Sequence, residues 1–459
     1  MTRPQSPPLD GWTAIVLAAG RGTRMRSRLP KVLHPVAGRP MMLHVCDTVR
    51  AAGIERIVVV TADPDGEVAE AVRTQVPGAA VAPQGEPLGT GHAALAARVA
   101  AGDASHLLIL NADLPLITER TVRELTQRHL QEHAVLTFLT AYLEDPTGYG
   151  RVRRQNGRIH GIVEESDADA VTRGQPEVNA GLYAAEAEWL WPVLAGLEPS
   201  PRGEVYLTDA IARAVDHPQG AEAYQVVESS EVQQVNTRVE LARAEQIMRE
   251  RIRRRVMLDG VTLVDPATTY IDAGVAIGPD TTLLPGVHLL GSTTVGGGCR
   301  IGPSAVVRDS TIGDGCEVGM STLEGSELAE RVTVGPYCHL RPGTRIEADV
   351  HLGNYVEVKA ARVGARTRVG HFSYIGDADV GADVNIGAGT VTANYDGATK
   401  HHTTIGDRAF IGSDSVLIAP VELGADARTG AGTIVTRDVP ASARVVGVPG
   451  RIREPGEGV

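Results

Sequence analysis

The chain has 459 residues, 22% of them charged, and a formal net charge of −12. That length exceeds one ordinary core and predicts two or three domains. The acidic balance, with no long basic run outside residues 249–255, argues against nucleic acid or an anionic membrane as a general partner.

Glycine is spread unevenly: 21 fall in residues 1–260 and 31 in the remaining 199, which places a boundary near Gly260. Cys46, Cys299, Cys316 and Cys338 make no CxxC pair, and no stretch is long and apolar enough to span a bilayer. The proline-rich start, MTRPQSPPLDGW, carries no apolar h-region. Together these predict a soluble cytoplasmic protein.

The first element is an apolar run, residues 13–19 (TAIVLAA), that enters a turn with Gly20 and Gly22 and is expected to continue as a helix. Glycines let backbone N–H groups approach a phosphate, although a lone GxG also arises in ordinary tight turns. It is not the dinucleotide fingerprint, because Met25 stands at the third glycine position. Lys31 follows in Leu29-Pro30-Lys31, where it could neutralise a pyrophosphate.

Further strands are expected at residues 56–61 (RIVVVT) and 105–110 (SHLLIL), alternating with helices, as in an open, mostly parallel sheet with ligands beyond its carboxyl ends. Asp113 stands at such an end and reads equally as a turn residue or as an oxygen ligand for Mg²⁺. Gln84 and the LGTGHA segment that begins at Leu88 could read a base or cap the following helix.

Thr237 and Glu240 have capping-box spacing, and Leu241, Ala244, Met248, Ile252 and Val256 recur at helical intervals, so a rigid helical arm is expected. From about Ile277 to Ile434 aliphatic residues recur every six positions, many followed by glycine, as in Val295-Gly296 and Ile301-Gly302. Five-residue steps follow Val307 and Val358. Hexapeptide repetition is the signature of a parallel β-helix. The plainest phase break lies between Ile386 and Ile405 and contains Asn394-Tyr395.

The motifs LAAGRGTRM, LPKVLH, LGTGHA, Gly148-Tyr149-Gly150-Arg151, Ile162-Val163-Glu164-Glu165, Val178-Asn179-Ala180-Gly181 and the GEVYLTD segment from Gly203 occur in this order ahead of the repeats. In this they resemble the sugar-nucleotide pyrophosphorylases. The best match is the bifunctional bacterial family that joins N-acetylglucosamine-1-phosphate uridylyltransferase to glucosamine-1-phosphate acetyltransferase.

The resemblance implies an α/β Rossmann-like nucleotidyltransferase domain, a helical arm and an all-β left-handed parallel β-helix. The expected organisation is a tail at 1–10, the uridylyltransferase at 11–236, a linker at 237–257, the acetyltransferase at 258–450 and a tail at 451–459. The resemblance also implies a homotrimer held through the β-helix. Its small-molecule substrates would be UTP, sugar-1-phosphates and acetyl-CoA, with Mg²⁺ as cofactor.

By the same resemblance, Leu17, Ala18, Ala19, Gly20, Arg24 and Lys31 hold the nucleotide, with Arg24 and Lys31 acting on its phosphates. Gln84, Gly89 and Thr90 meet uracil. Gly150, Glu164 and Asn179 meet the sugar phosphate, and Asp113 and Asn236 bind the metal. On the rod, Arg341, Lys359, Tyr374 and Asn385 take the acetyl acceptor, while Ala388, Asn394, Tyr395, Ser413 and Ala431 take acetyl-CoA. His371 is the general base, a role suited to imidazole near neutral pH, and Glu357 is expected to orient or assist it.

The sequence departs from the family pattern at Asn111-Ala112, at Ala180, where threonine is common, and at Gly447, where a cofactor-contacting arginine is expected. Arg451 is the candidate to replace that arginine. One rival reading is a monofunctional nucleotidyltransferase whose β-helix serves assembly or regulation. Another is a zinc enzyme of carbonic-anhydrase type, which needs three convergent histidines among His339, His351, His371, His401 and His402.

Overall fold

The computed structural model describes residues 9–20, 22–201 and 203–447. Most of the two expected tails, including Arg451, lies outside the described residues. The chain forms two compact units, residues 1–248 and 249–459.

The first unit is built on one mixed sheet. Its strands are β1 (Trp12–Leu17), β2 (Arg56–Thr61), β3 (Ala80–Pro83), β4 (His106–Asn111), β5 (Leu136–Tyr142), β6 (Arg151–Gln155), β7 (Arg158–Val163), β8 (Glu177–Glu186) and β9 (Ala221–Gln225). The main path runs β9-β5-β8-β4-β1-β2-β3, and the β6–β7 hairpin joins it at Arg151↔Val178. Strands β4, β1, β2 and β3 are parallel, while β8 runs antiparallel to both β4 and β5.

Alternate residues of each strand enter different cores, as the two-residue strand period requires. Ala14, Val16, Ile57 and Val59 face one helical layer, and Ile15, Val58, Val60 and Ile109 face the other. Because β1 lies between β4 and β2, residues 17–20 and 111–113 emerge side by side at the carboxyl edge.

One local expectation fails. The turn after β1 continues only as a 3-10 turn, Thr23–Met25, and the first α-helix is Met41–Ala51. Arg26 enters the left-handed region at φ 48°, which ends the turn, and the next one, Lys31–Leu33 after Pro30, is again 3-10.

The helix Arg238–Leu258 runs across the division between the two units. Its start is a capping box: the Glu240 carboxylate accepts from the Thr237 N–H at 2.7 Å, and Thr237 Oγ1 accepts from the Glu240 N–H at 3.3 Å.

The second unit is a left-handed parallel β-helix whose three faces hold 11, 10 and 9 short strands among the described residues. Leu283, Ile301, Val318, Val334, Leu352, Val369, Ile386 and Ile411 stack inward on the first face. The ladder starts before Ile277, with Leu263 and Ile271. Near its end the inward residue is Val435 rather than Ile434, which is 62% exposed. Threonine takes two rungs, Thr392 and Thr429; the Thr392 hydroxyl is satisfied by Gly376 O at 3.0 Å.

Most corner turns place one residue in the left-handed region. Asp280, Arg331, Asp349, Arg366, Asp383, Arg408 and Asp426 supply it along one corner. Tyr337, Tyr355, Phe372 and Asp414 supply it along another, and Asp309, Ala360 and Asp377 along the third. The five-residue steps after Val307 and Val358 fall at this third corner, and another, from Val318 to Leu323, falls at the second. The phase break is a loop between the strands Val391–Ala393 and Thr403–Ile405.

Candidate active sites

In the first unit a cavity of about 650 Å³ opens at the carboxyl edge. Of the residues expected at the nucleotide site, Leu17, Ala19, Gly20, Arg24, Lys31, Gln84, Gly89, Thr90 and Asp113 line it. Ala18 is buried behind it, its N–H held by Val60 O at 2.8 Å.

Lys31 organises the charged wall, with its Nζ donating to Asp113 Oδ2 at 2.5 Å and to Asn236 Oδ1 at 3.0 Å. Arg24 also donates to Asn236 Oδ1, at 3.0 Å. Two cations and two oxygen-bearing side chains, brought from three distant stretches, therefore meet at one point. Asp113 Oδ1 is buried with no hydrogen-bond partner among the described residues. An orphaned carboxylate oxygen beside an amide oxygen is a donor set that suits a hard divalent cation.

On the opposite wall, Gly89 (φ 106°) packs so closely on Val205 that a Cβ there would lie 2.5 Å from its carbonyl oxygen. Gln84 Nε2 donates to Gly89 O at 3.0 Å, and Thr90 Oγ1 accepts from the Leu207 N–H at 3.0 Å. The LGTGHA segment is thus clipped by residues 203–209, whose Glu204 and Tyr206 reach the cavity. From the sequence alone, neither Glu204 nor Tyr206 has a signal that sets it apart within the segment.

Gly150, Glu164 and Asn179 form a second group beside the hairpin. Asn179 N–H donates to Gly150 O at 2.9 Å, and the Arg151↔Val163 pairing sets Gly150 opposite Glu164. None of the three lines the cavity, but Thr208 Oγ1 donates to Glu164 Oε1 at 2.7 Å and so ties them to the same 203–209 segment. Burial raises the Glu164 pKa, and the Thr208 bond opposes that rise. Asn111, one of the departures from the family pattern, lines the cavity, while Ala180 is fully buried.

On the rod, Arg341, Glu357, Lys359 and Tyr374 lie on successive coils of the second face. Arg341 NH1 donates to Glu357 Oε1 at 3.0 Å, and Tyr374 OH accepts from Asn394 Nδ2 at 3.5 Å. Asn394 also donates to Asp377. The Lys400 pKa is lowered first by the ammonium of Lys359. Tyr395 projects from the loop, 61% exposed. Asn385 is on the adjoining first face, paired in register with Arg368 and Phe410.

His371 closes a four-residue strand at the corner. Its Nδ1 is 2.8 Å from Asn354 Oδ1 on the preceding coil. Glu357, the expected partner, is instead engaged by Arg341. Strand pairing and corner hydrogen bonds put Asn354, His371, Ala388, Ser413 and Ala431 at equivalent points of successive coils: Phe372 N–H donates to Asn354 O, Asp414 N–H to Ala388 O and Gly432 N–H to Ser413 O. Base and expected acyl-donor contacts therefore share one column, with rungs about 4.8 Å apart. Gly447 N–H donates to Thr433 Oγ1 at 3.0 Å.

The zinc reading finds no support in this geometry. His339, His351, His371, His401 and His402 each contact a different partner, respectively Glu324, Thr333, Asn354, Asp396 and Asp379. No helix among the described residues is long and apolar enough to cross a membrane.

The fold and the two sites define a class: a nucleotidyltransferase-type α/β unit continued into a hexapeptide-repeat transferase rod. Residues 14–176 match the MobA-like NTP transferase domain, and residues 402–437 match the hexapeptide repeat of succinyl-transferase. The bifunctional protein GlmU of Pelobacter propionicus is 46% identical over 445 residues, covering 95% of this chain and 96% of the relative. The GlmU proteins of Geobacter sulfurreducens and Heliobacterium modesticaldum are each 44% identical, with 98% and 95% of this chain covered and the same shares of each relative.

The chain belongs to the bifunctional GlmU family. It is an enzyme of UDP-N-acetylglucosamine synthesis, pairing acetyl transfer to glucosamine-1-phosphate with uridylyl transfer to N-acetylglucosamine-1-phosphate.

Proposed function

We propose that the cavity of the first unit binds UTP and that its uridylyl transfer depends on Mg²⁺. The charged wall supports this: Asp113, with one orphaned oxygen, and Asn236 would hold the cation. Bound there, Mg²⁺ would supply Lewis-acid neutralisation of phosphate charge. Arg24 and Lys31 grip the phosphates and balance the charge of the leaving pyrophosphate, while Gln84, Gly89 and Thr90 fix uracil. Gly150, Glu164 and Asn179 present the sugar phosphate, whose oxygen attacks the α-phosphorus in line. Positioning and charge neutralisation carry the catalysis, with no covalent intermediate.

On the rod, Arg341 and Lys359 hold the phosphate of glucosamine-1-phosphate, with Tyr374 and Asn385 beside it. His371 Nε2 removes the amine proton as the nitrogen attacks the thioester carbonyl of acetyl-CoA, and coenzyme A leaves as the thiol. Ala388, Asn394, Tyr395, Ser413 and Ala431 face the acyl donor. The enzyme works in the cytoplasm as a homotrimer assembled through its rod, with domains at 11–236 and 258–450 joined by the helix.

The observation that carries this reading is the convergence of Arg24, Lys31, Asp113 and Asn236 in a chain that also sets His371 in one column with Ala388, Ser413 and Ala431. Paired assays test it. Asp113→Ala is expected to abolish uridylyl transfer and spare acetyl transfer, and His371→Ala to do the reverse. Loss of both activities in either folded variant would sink it, and trimer mass by sedimentation equilibrium checks the assembly.

A further inference from the structure

We propose that Asn354 is the positioning residue for the base: its side-chain carbonyl accepts the Nδ1–H of His371 and so fixes the tautomer whose Nε2 carries a free lone pair. The proposal rests on the reading of His371 as general base. In water a neutral imidazole favours the opposite tautomer, with the proton on Nε2, and that form cannot take a proton there. An acceptor held against Nδ1 reverses the preference.

The architecture around the pair is specific. Most rod strands are two or three residues long, but His351–Asn354 and Arg368–His371 each extend to four, and their last residues pair in register. The backbone is fixed on both sides of the contact. Phe372 N–H donates to Asn354 O at 2.9 Å, and Ser373 Oγ donates to His371 O at 2.8 Å. Just before the pair, Gly353 and Gly370 bring the coils together so tightly that a Cβ on Gly353 would lie 1.8 Å from Gly370 O. Any side chain at Gly353 would force the coils apart and break the 2.8 Å contact.

The carboxylate of Glu357 does not compete for this role, because Arg341 engages it on another face. Asn354 is an amide, so it sets the direction of the ring without adding a negative charge beside it. This makes it a residue that acts through the base, by orienting it.

The test uses the full-length enzyme with ¹⁵N-histidine, the His371 ring signals being assigned by their loss in His371→Gln. Wild type is expected to show a protonated Nδ1 and an unprotonated Nε2 above neutral pH. Asn354→Leu, which keeps the bulk and removes the acceptor, should move the signals towards the Nε2–H tautomer. It should also lower kcat for acetyl transfer by about 10- to 100-fold, less than the roughly 10²- to 10⁴-fold expected for loss of the base itself. KM for glucosamine-1-phosphate should stay within about twofold, since the substrate contacts are elsewhere. Asn354→Asp, which keeps an acceptor, should retain the Nδ1–H signature, and an unchanged thermal midpoint of the rod reports that each variant is folded.

A wild-type spectrum dominated by the Nε2–H form, or an unchanged spectrum in Asn354→Leu, would overturn the proposal. Full acetyl transfer by His371→Gln would overturn the base reading instead, while the spectra still decide whether Asn354 sets the tautomer.

Discussion

Thr208 and Gly89 show how single residues shape the first site. The Thr208 hydroxyl is the specific contact that opposes the burial-driven rise of the Glu164 pKa. Thr208→Val should therefore raise that pKa further and keep the carboxyl protonated to higher pH. If Glu164 accepts a sugar hydroxyl, KM for N-acetylglucosamine-1-phosphate should rise several-fold, with the loss greatest on the acid side of the pH profile. Gly89→Ala combines a left-handed backbone with a clash against Val205 O, so the loop must move. A rise in KM for UTP of at least about tenfold is expected, corresponding to about 1.4 kcal/mol, with acetyl transfer unaffected. The sequence displayed both residues inside recognisable motifs, but the pairing of residues 203–209 with Gly89 and Glu164 is tertiary. Asn354 was more accessible: Leu352 and Val369 are ladder neighbours, and two residues beyond each stand Asn354 and His371.

At the scale of elements, periodicity exposed what every coil repeats and missed what single rungs vary. A strict six-residue count from Leu423 passes through Thr429 to Val435, but a search for aliphatic residues alone skips the threonine and stops at Ile434, one residue out of register. Threonine rungs escape a hydrophobic search because their hydroxyls are satisfied by neighbouring coils. One corner carries an alternating column in which Arg331, Arg366 and Arg408 pair with Asp349, Asp383 and Asp426. Arg366→Glu would put like charges on three successive coils, and a lower thermal midpoint that recovers in high salt is expected. In the first unit, the helix Glu119–Glu132 brings His129 against Trp12 and His106, with ring centroids at 5.7 and 5.5 Å. Burial pushes the His129 pKa down to about 4. Its neutral form is favoured in the folded state, so its contribution is present above pH 6.5 and is lost as pH falls towards 4. The loss is on the order of 3 kcal/mol. Denaturant titrations at several pH values should show a shallower acid slope in His129→Leu than in wild type.

For the whole molecule, the decisive property is that the groups proposed for the two reactions lie in different units. The cluster of Lys31, Asp113 and Asn236 draws on residues of the first unit alone, and the column through His371 draws on residues of the second alone. N-acetylglucosamine-1-phosphate is the product of one reaction and the acceptor of the other, so the two need to share only that metabolite. A mixture of Asp113→Ala and His371→Ala enzymes should then convert glucosamine-1-phosphate, acetyl-CoA and UTP to UDP-N-acetylglucosamine, although neither variant can do so alone. The intermediate must accumulate in solution before the second reaction runs, so product should appear after a lag that shortens as enzyme concentration rises. A mixture that forms no product, while each variant keeps its one activity, would mean that the intermediate is not released for use by a second molecule.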